Sequence, residues 1–399
     1  MHASVMERPP TPPMVDEISA APGKPTSLAE VATLFFRLGL TAFGGPAAHI
    51  AMMENEVVRR RRWLSAERFL DLLGASNLIP GPSSTELAIF IGYEQAGWRG
   101  LLLAGTCFIL PAALMVGVIA WVYVRLGALP QLAGVLYGIK PVVIGVIVQA
   151  VWGLAPKAVK GSKLLGGIGV GARVAYAAGV DALVVLIGSA LAALVGRRLL
   201  IIPRADAKTF MFGPMAVGLV GGASATVPIG LATLFLTFLK VGAVVFGSGY
   251  VLLAFLRADL VDRLHWLSEA QLLDAVAVGQ VTPGPVFTTA TFIGYVVAGP
   301  WGAVVATLGI FLPGFVLVAI TRPMIARLRQ SPFAGALLDG VSVASLGLMA
   351  VVAVQLAHAA RVDIPAAVIA IAGAILLIKF KVNATWVVAG AALAGAVVK

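Results

Sequence analysis

Two short stretches of this chain combine residue types that could hold an anion. Ile79–Tyr93 reads IPGPSSTELAIFIGY and Thr282–Tyr295 reads TPGPVFTTATFIGY. In each, a Pro-Gly-Pro interrupts an apolar run: Pro80, Gly81 and Pro82 in the first, Pro283, Gly284 and Pro285 in the second. Hydroxyls follow, Ser83, Ser84 and Thr85 in one stretch and Thr288 and Thr289 in the other. Proline removes a backbone donor and ends the helical ladder. A helix that restarts after it presents unpaired N–H groups and a partial positive charge. That is a natural seat for an oxyanion, to which hydroxyls add donors. Met once, such a break is an ordinary turn whose hydroxyls cap the next helix. Met twice in register, the breaks predict a single anion site with each stretch supplying one side.

Charges inside apolar segments extend this reading, because they are costly there. Arg37 in FFRLGLTAFGG and Lys240 in FLKVGAVVFGS occupy matching places and are candidate cations for the anion; the plainer alternative is snorkelling to the membrane surface. Glu86 follows the first Pro-Gly-Pro, and Thr289 takes its place in the second. That carboxyl is a candidate proton carrier, or else a partner for Arg37. Gly44 and Gly45 in FGGP offer a second backbone break beside the site, or a close-packing contact. Lys140 interrupts another apolar run and could line a pathway, Asp71 and Asp274 read as rim residues, and His49 is expected at a membrane interface. GGIGVGAR (Gly166–Arg173) has the wrong spacing and the wrong surroundings for a nucleotide fingerprint.

The elements that must position these residues follow from composition. Of 399 residues 60% are hydrophobic and 12% charged, with a mean hydropathy of +0.98. A soluble chain with so few charges could not cover its surface, so the expected class is an all-α polytopic membrane protein. The net charge of +11 comes from basic residues clustered at the ends of apolar runs, as in Arg59–Trp63 and Arg322–Arg329. The positive-inside effect accounts for them, and nucleic acid is not an expected partner. Cys107 is the sole cysteine and the four histidines lie far apart, which excludes a disulfide within the chain and gives no metal-ligand spacing. No cofactor is expected. Residues 1–28, with PPTPP and no apolar core, read as a flexible tail and not a signal peptide.

The chain is duplicated. A shift of 203 residues, the distance from Pro80 to Pro283, also aligns Gly39 with Gly242, Phe43-Gly44 with Phe246-Gly247 and Trp63-Leu64-Ser65 with Trp266-Leu267-Ser268. A shift of 202 then aligns Phe90–Tyr93 with Phe292–Tyr295 and Pro111 with Pro313. The expected organisation is a first membrane repeat over 29–200, a linker over 201–227 and a second repeat over 228–399. If each Pro-Gly-Pro segment is re-entrant, each repeat has five full spans, about ten in all. Five is odd, so the second repeat is upside down, and the distribution of basic loops agrees with an inverted repeat.

At these residues the sequence resembles the chromate ion transporter family in its long, two-domain form. The resemblance rests on FFRLGLTAFGGPAAHI, RRRRWLS, NLIPGPSS, FLKVGAVVFGSGY, WLSEAQLLDAVAVGQVTPGPVFTTATFIGY and FLPGFVL, and covers both repeats. It implies antiparallel halves and export of chromate across the bacterial inner (plasma) membrane, driven by the proton-motive force, with sulfate as a chemical look-alike. One departure is the acid at Glu86, where a neutral polar residue is expected. The expected partners are a chromate or sulfate anion and the lipid bilayer, with homodimerisation open. A sulfate or other oxyanion carrier and a passive anion channel stay as alternatives. A membrane reductase is disfavoured by the single cysteine and the lack of a flavin or nicotinamide motif.

Overall fold

The computed structural model describes residues 26–43, 45–126, 130–201, 230–245, 252–324, 332–359, 363–380, 382 and 384–398. Gly44, the tail over 1–25 and most of the expected linker lie outside the described residues. Among those described, fourteen α-helices and no strands form the fold. Seven precede the linker: α1 (Leu28–Thr41), α2 (Gly45–Glu54), α3 (Ala66–Ser76), α4 (Ser83–Leu126), α5 (Pro130–Val159), α6 (Lys163–Ala177) and α7 (Ala182–Ile201). Seven follow it in the same order: α8 (Leu231–Val244), α9 (Leu252–Leu256), α10 (Glu269–Val281), α11 (Thr289–Thr321), α12 (Pro332–Ala359), α13 (Ile364–Ile378) and α14 (Ala384–Val398).

Local sequence sets the repeated boundaries. The duplicated Trp-Leu-Ser is an N-cap: Ser65 accepts from Arg68 N–H at 3.1 Å and Ser268 from Gln271 N–H at 3.2 Å. After α2 and α9 the backbone widens into π-helical turns, Asn55–Arg60 and Arg257–Arg263. Each repeat then has a left-handed residue, Arg62 at φ 54° and His265 at φ 53°. The same non-helical pair appears inside both long helices, Ala96-Gly97 in α4 and Ala298-Gly299 in α11, with glycine φ of 58° and 66°. A left-handed residue costs an L-side chain, so glycine takes the turn. The chain reverses there. Thr291 and Thr307, on the two limbs of α11, share a hydrogen bond of 2.7 Å although they lie sixteen residues apart.

Among the described residues, four helices are long and apolar enough to cross a membrane: Ser83–Leu126, Tyr137–Pro156, Val286–Thr321 and Gly335–Ala357. Their outward side chains are oily, including Leu114, Trp152, Trp301 and Ile320. Such helices, with so apolar an exterior, are those of a multi-pass membrane protein. The segments flanking Pro-Gly-Pro are shorter. α3 has 11 residues, and at 1.5 Å per residue it and the limb over 83–95 reach about 17 and 20 Å, against a hydrocarbon core of roughly 30 Å.

The two series of helices interlock. Within each, α1 packs on α4 and α8 on α11. Between them, α4 packs on α11, α5 on α13 and α14, and α12 on α6 and α7. One apolar core gathers around α1, α3 and α4, and a larger one runs from α8–α11 into α5, α7 and α12.

Candidate functional site

The two Pro-Gly-Pro breaks face the opposite repeat. Gly81 N–H donates to the carbonyl of Val245 at 2.6 Å, and Gly284 N–H donates to the carbonyl of Ala42 at 2.9 Å. Ala42 and Val245 are themselves equivalent, each closing the helix that opens its repeat. Four interrupted helix ends therefore meet through one reciprocal pair of hydrogen bonds. Gly81 and Gly284 have φ of 131° and 89°, which a side chain would strain. A Cβ on Gly81 would collide with the Glu86 carboxyl, and one on Gly284 would lie 2.6 Å from the Ala112 Cβ.

The hydroxyls that follow are buried but differ in their bonding. Thr288 donates to the Pro285 carbonyl at 2.7 Å and Thr289 to the Val286 carbonyl at 2.8 Å, so both protons serve their own turn. On the first repeat Ser83, Ser84 and Thr85 are also buried, and the Thr85 hydroxyl has no hydrogen-bond partner. Glu86 is 0% exposed, and neither carboxyl oxygen has a partner. Its side chain lies between Gly81 and Gly314, the latter beside Pro313 on α11 of the other repeat. An ionised carboxylate so placed would be an isolated buried charge, far more costly than a neutral acid.

The candidate cations sit elsewhere. Arg37, 49% exposed, pairs with Glu56 at 2.5 Å, and Lys240 pairs with Asp259 at 3.0 Å. Arg60 and Arg263 join the same carboxylates at 2.7 and 2.9 Å. Burial would raise the Glu56 carboxyl, but hydrogen bonds from Arg60 and Arg37 hold it below its ordinary value. Arg37 is thus joined to Glu56 and not to Glu86. Lys140 reaches Asp274 at 3.2 Å, and Tyr123 donates to the same carboxylate at 3.0 Å, which ties α4, α5 and α10 together. Gly45 opens α2 at φ 76° beside the Ala42 break.

His49 is the residue that sequence reasoning misplaced. It is 1% exposed, not at a membrane surface. Its Nε2 lies 3.0 Å from the Ala42 carbonyl, and its Nδ1 3.3 Å from the Ser84 hydroxyl. The Phe108 ring meets it edge-on at 5.7 Å. The available signal was its position four residues into the helix after FGGP. Its place in the second repeat is held by Leu252, as that of Glu86 is held by Thr289, so neither group recurs in the second repeat.

A family model described as Chromate transporter matches residues 29–197 and 232–396. The Chromate transport protein of Cupriavidus metallidurans is 36% identical over 398 residues, covering 97% of this chain and 98% of that protein. The Chromate transport protein of Pseudomonas aeruginosa is 33% identical, with 95% of this chain and 94% of that protein covered. The Probable chromate transport protein of Synechococcus elongatus is 33% identical, with 85% and 87% covered. No solved structure matches.

Proposed function

The chain belongs to the chromate transporter family, a family of transporters and not of enzymes, and we propose that it is a secondary transporter exporting chromate across the bacterial inner membrane and so conferring chromate resistance. The observation that carries this reading is the reciprocal bonding of the two breaks, Gly81 to Val245 and Gly284 to Ala42, with an unpartnered carboxyl and hydroxyl beside them. In hydrocarbon, irregular backbone survives only where protein or a polar pathway satisfies it. Two broken helices ending on one another at the centre of an interlocked pair of repeats fit a site for a small anion.

In this reading the repeats are inverted, with about ten spans and two re-entrant Pro-Gly-Pro segments, and the short helices at the breaks do not cross. The anion lies against Ser83, Ser84 and Thr85 on one side and Thr288 and Thr289 on the other. Its negative charge faces two helix N-termini. Arg37 and Lys240 meet it at the mouths, released in turn from Glu56 and Asp259. Chromate is a tetrahedral dianion and needs no nucleophile to be moved. A membrane potential negative inside would expel the bare dianion with about 4.6 kcal/mol per 100 mV, two charges at about 2.3 each. Glu86 carries a proton while the anion is bound, since an ionised carboxylate would repel it; the proton leaves with the anion, so the pair crosses as one net negative charge, which the membrane potential expels with about 2.3 kcal/mol per 100 mV.

The test is chromate uptake into everted membrane vesicles carrying the protein. Saturable, uncoupler-sensitive uptake that is lost in a Pro80→Ala/Pro283→Ala variant supports the reading. Uptake equally fast without a gradient points to a channel. Sulfate uptake with no competition from chromate points to another oxyanion.

A further inference from the structure

We propose that His49 is a proton-operated switch on the oxyanion site, which sets whether the Ser84 hydroxyl is free to donate to the anion. The inference rests on the transport-site reading above and adds a positioning residue to it.

The hydrogen bonds fix the ring's tautomer. A backbone carbonyl only accepts, so the Nε2 atom 3.0 Å from the Ala42 carbonyl bears the hydrogen. In a neutral ring Nδ1 is then an acceptor, and its partner at 3.3 Å is the Ser84 hydroxyl. A hydroxyl has one proton. While Ser84 gives it to His49, it has none for an anion. Protonating the ring reverses this bond. Nδ1 becomes a donor, Ser84 accepts from it, and the hydroxyl proton turns towards the break. The same event adds a positive charge beside a site for a dianion. The Ala42 carbonyl also accepts from Gly284 N–H, so His49 touches the backbone joint between the repeats as well as the hydroxyl row.

Other charges around the ring are accounted for. α2 packs against α1, α4 and the π-helical turn that follows it. On α1, Glu30 caps its own helix and Arg37 pairs with Glu56. On α2 and the turn, Glu54 pairs with Arg59, and Glu56 with Arg60 and Arg61. On α4, Glu94 pairs with Arg68, and Arg99 and Arg125 are exposed. Glu86, also on α4, is without a partner. Among the described residues, it and His49 are therefore the two groups at the first break whose protonation can change with the anion.

The experiment measures chromate binding to the purified full-length protein between pH 5.5 and 8, for wild type, His49→Gln and Ser84→Ala. The readout is the ratio of each variant's Kd to that of wild type at the same pH, in which chromate's own protonation cancels. Burial favours the neutral ring in the anion-free protein, so it is the bound dianion that draws the proton onto His49. For His49→Gln the ratio should be near one at pH 8 and rise to about tenfold at pH 5.5, the order of one charge-assisted hydrogen bond. For Ser84→Ala it should rise in the same direction, and this variant carries the test if His49→Gln does not fold. Ratios that stay constant across the range would overturn the switch and leave the binding site standing. Wild-type protein that binds no chromate at any pH would overturn the transport-site reading, and the switch with it.

Discussion

Among single residues, what distinguishes the groups near the breaks is which charges are satisfied. Glu56 collects Arg37 and Arg60, and Asp259 collects Lys240 and Arg263. These pairs were half legible. The cations stood out as charges in apolar runs, but the acids lay in what read as loops, and only the 203-residue shift that aligns Glu56 with Asp259 links them. Because the Glu56 carboxyl is held below its ordinary value, its stabilisation is present above a pH of about 4.5 and is lost as pH falls through the lowered value. Glu56→Gln is therefore expected to lower the Tm by roughly a few degrees at pH 7, and to flatten the acid side of a Tm-against-pH curve. An unchanged acid limb would show that another carboxylate sets it. Glu86 was conspicuous in the sequence, but its isolation was not, because partnership depends on folding. Glu86→Gln keeps a donor and should bind chromate within about threefold of wild type. Protons carried per anion transported into everted vesicles, followed with a pH-sensitive dye, should fall. Unchanged proton uptake would remove Glu86 from the coupling.

At the element scale, the breaks were the most legible feature, since Pro-Gly-Pro cannot continue a helix and the chain writes it twice. The turn within each long helix was not foreseen; only the Ala-Gly pairs at 96–97 and 298–299 mark it in the chain. What those breaks touch was not legible either. Nothing local to Gly81 indicates that its amide reaches Val245, 164 residues away in the chain. His49 illustrates the same limit: a lone histidine near a helix start reads as interfacial until Ser84 is folded beside it. The two glycine classes should separate in experiment. Gly97→Ala meets only a positive-φ backbone that side chains rarely adopt, a cost of about 1–3 kcal/mol, and should lower Tm while leaving chromate transport in place. Gly81→Ala and Gly284→Ala place a Cβ against Glu86 and Ala112, and each should reduce transport at least about tenfold in protein that still folds. Transport retained in both would detach the breaks from the function.

At the scale of the whole molecule, composition gave the class and the repeat gave the order of elements, but neither gave the interlock. Uniformly apolar helices such as α5 and α12 carry no stripe that names a neighbour, and their partners in the opposite repeat emerge only from packing. The interlock has a consequence. If the chain is divided between residues 201 and 230 and both pieces are expressed together, they should purify as one complex in mild detergent, because α5 packs on α13 and α14 while α12 packs on α6 and α7. Pieces that separate would mean that the contacts between repeats are weak. The same reciprocity underlies the central claim, that two breaks make one oxyanion site. The most direct measurement is the stoichiometry of chromate bound to the purified protein at saturation, with and without Gly284→Ala. One anion per chain, lost when the second break alone is altered, is the predicted result. Two anions per chain, or one that survives in Gly284→Ala, would contradict it.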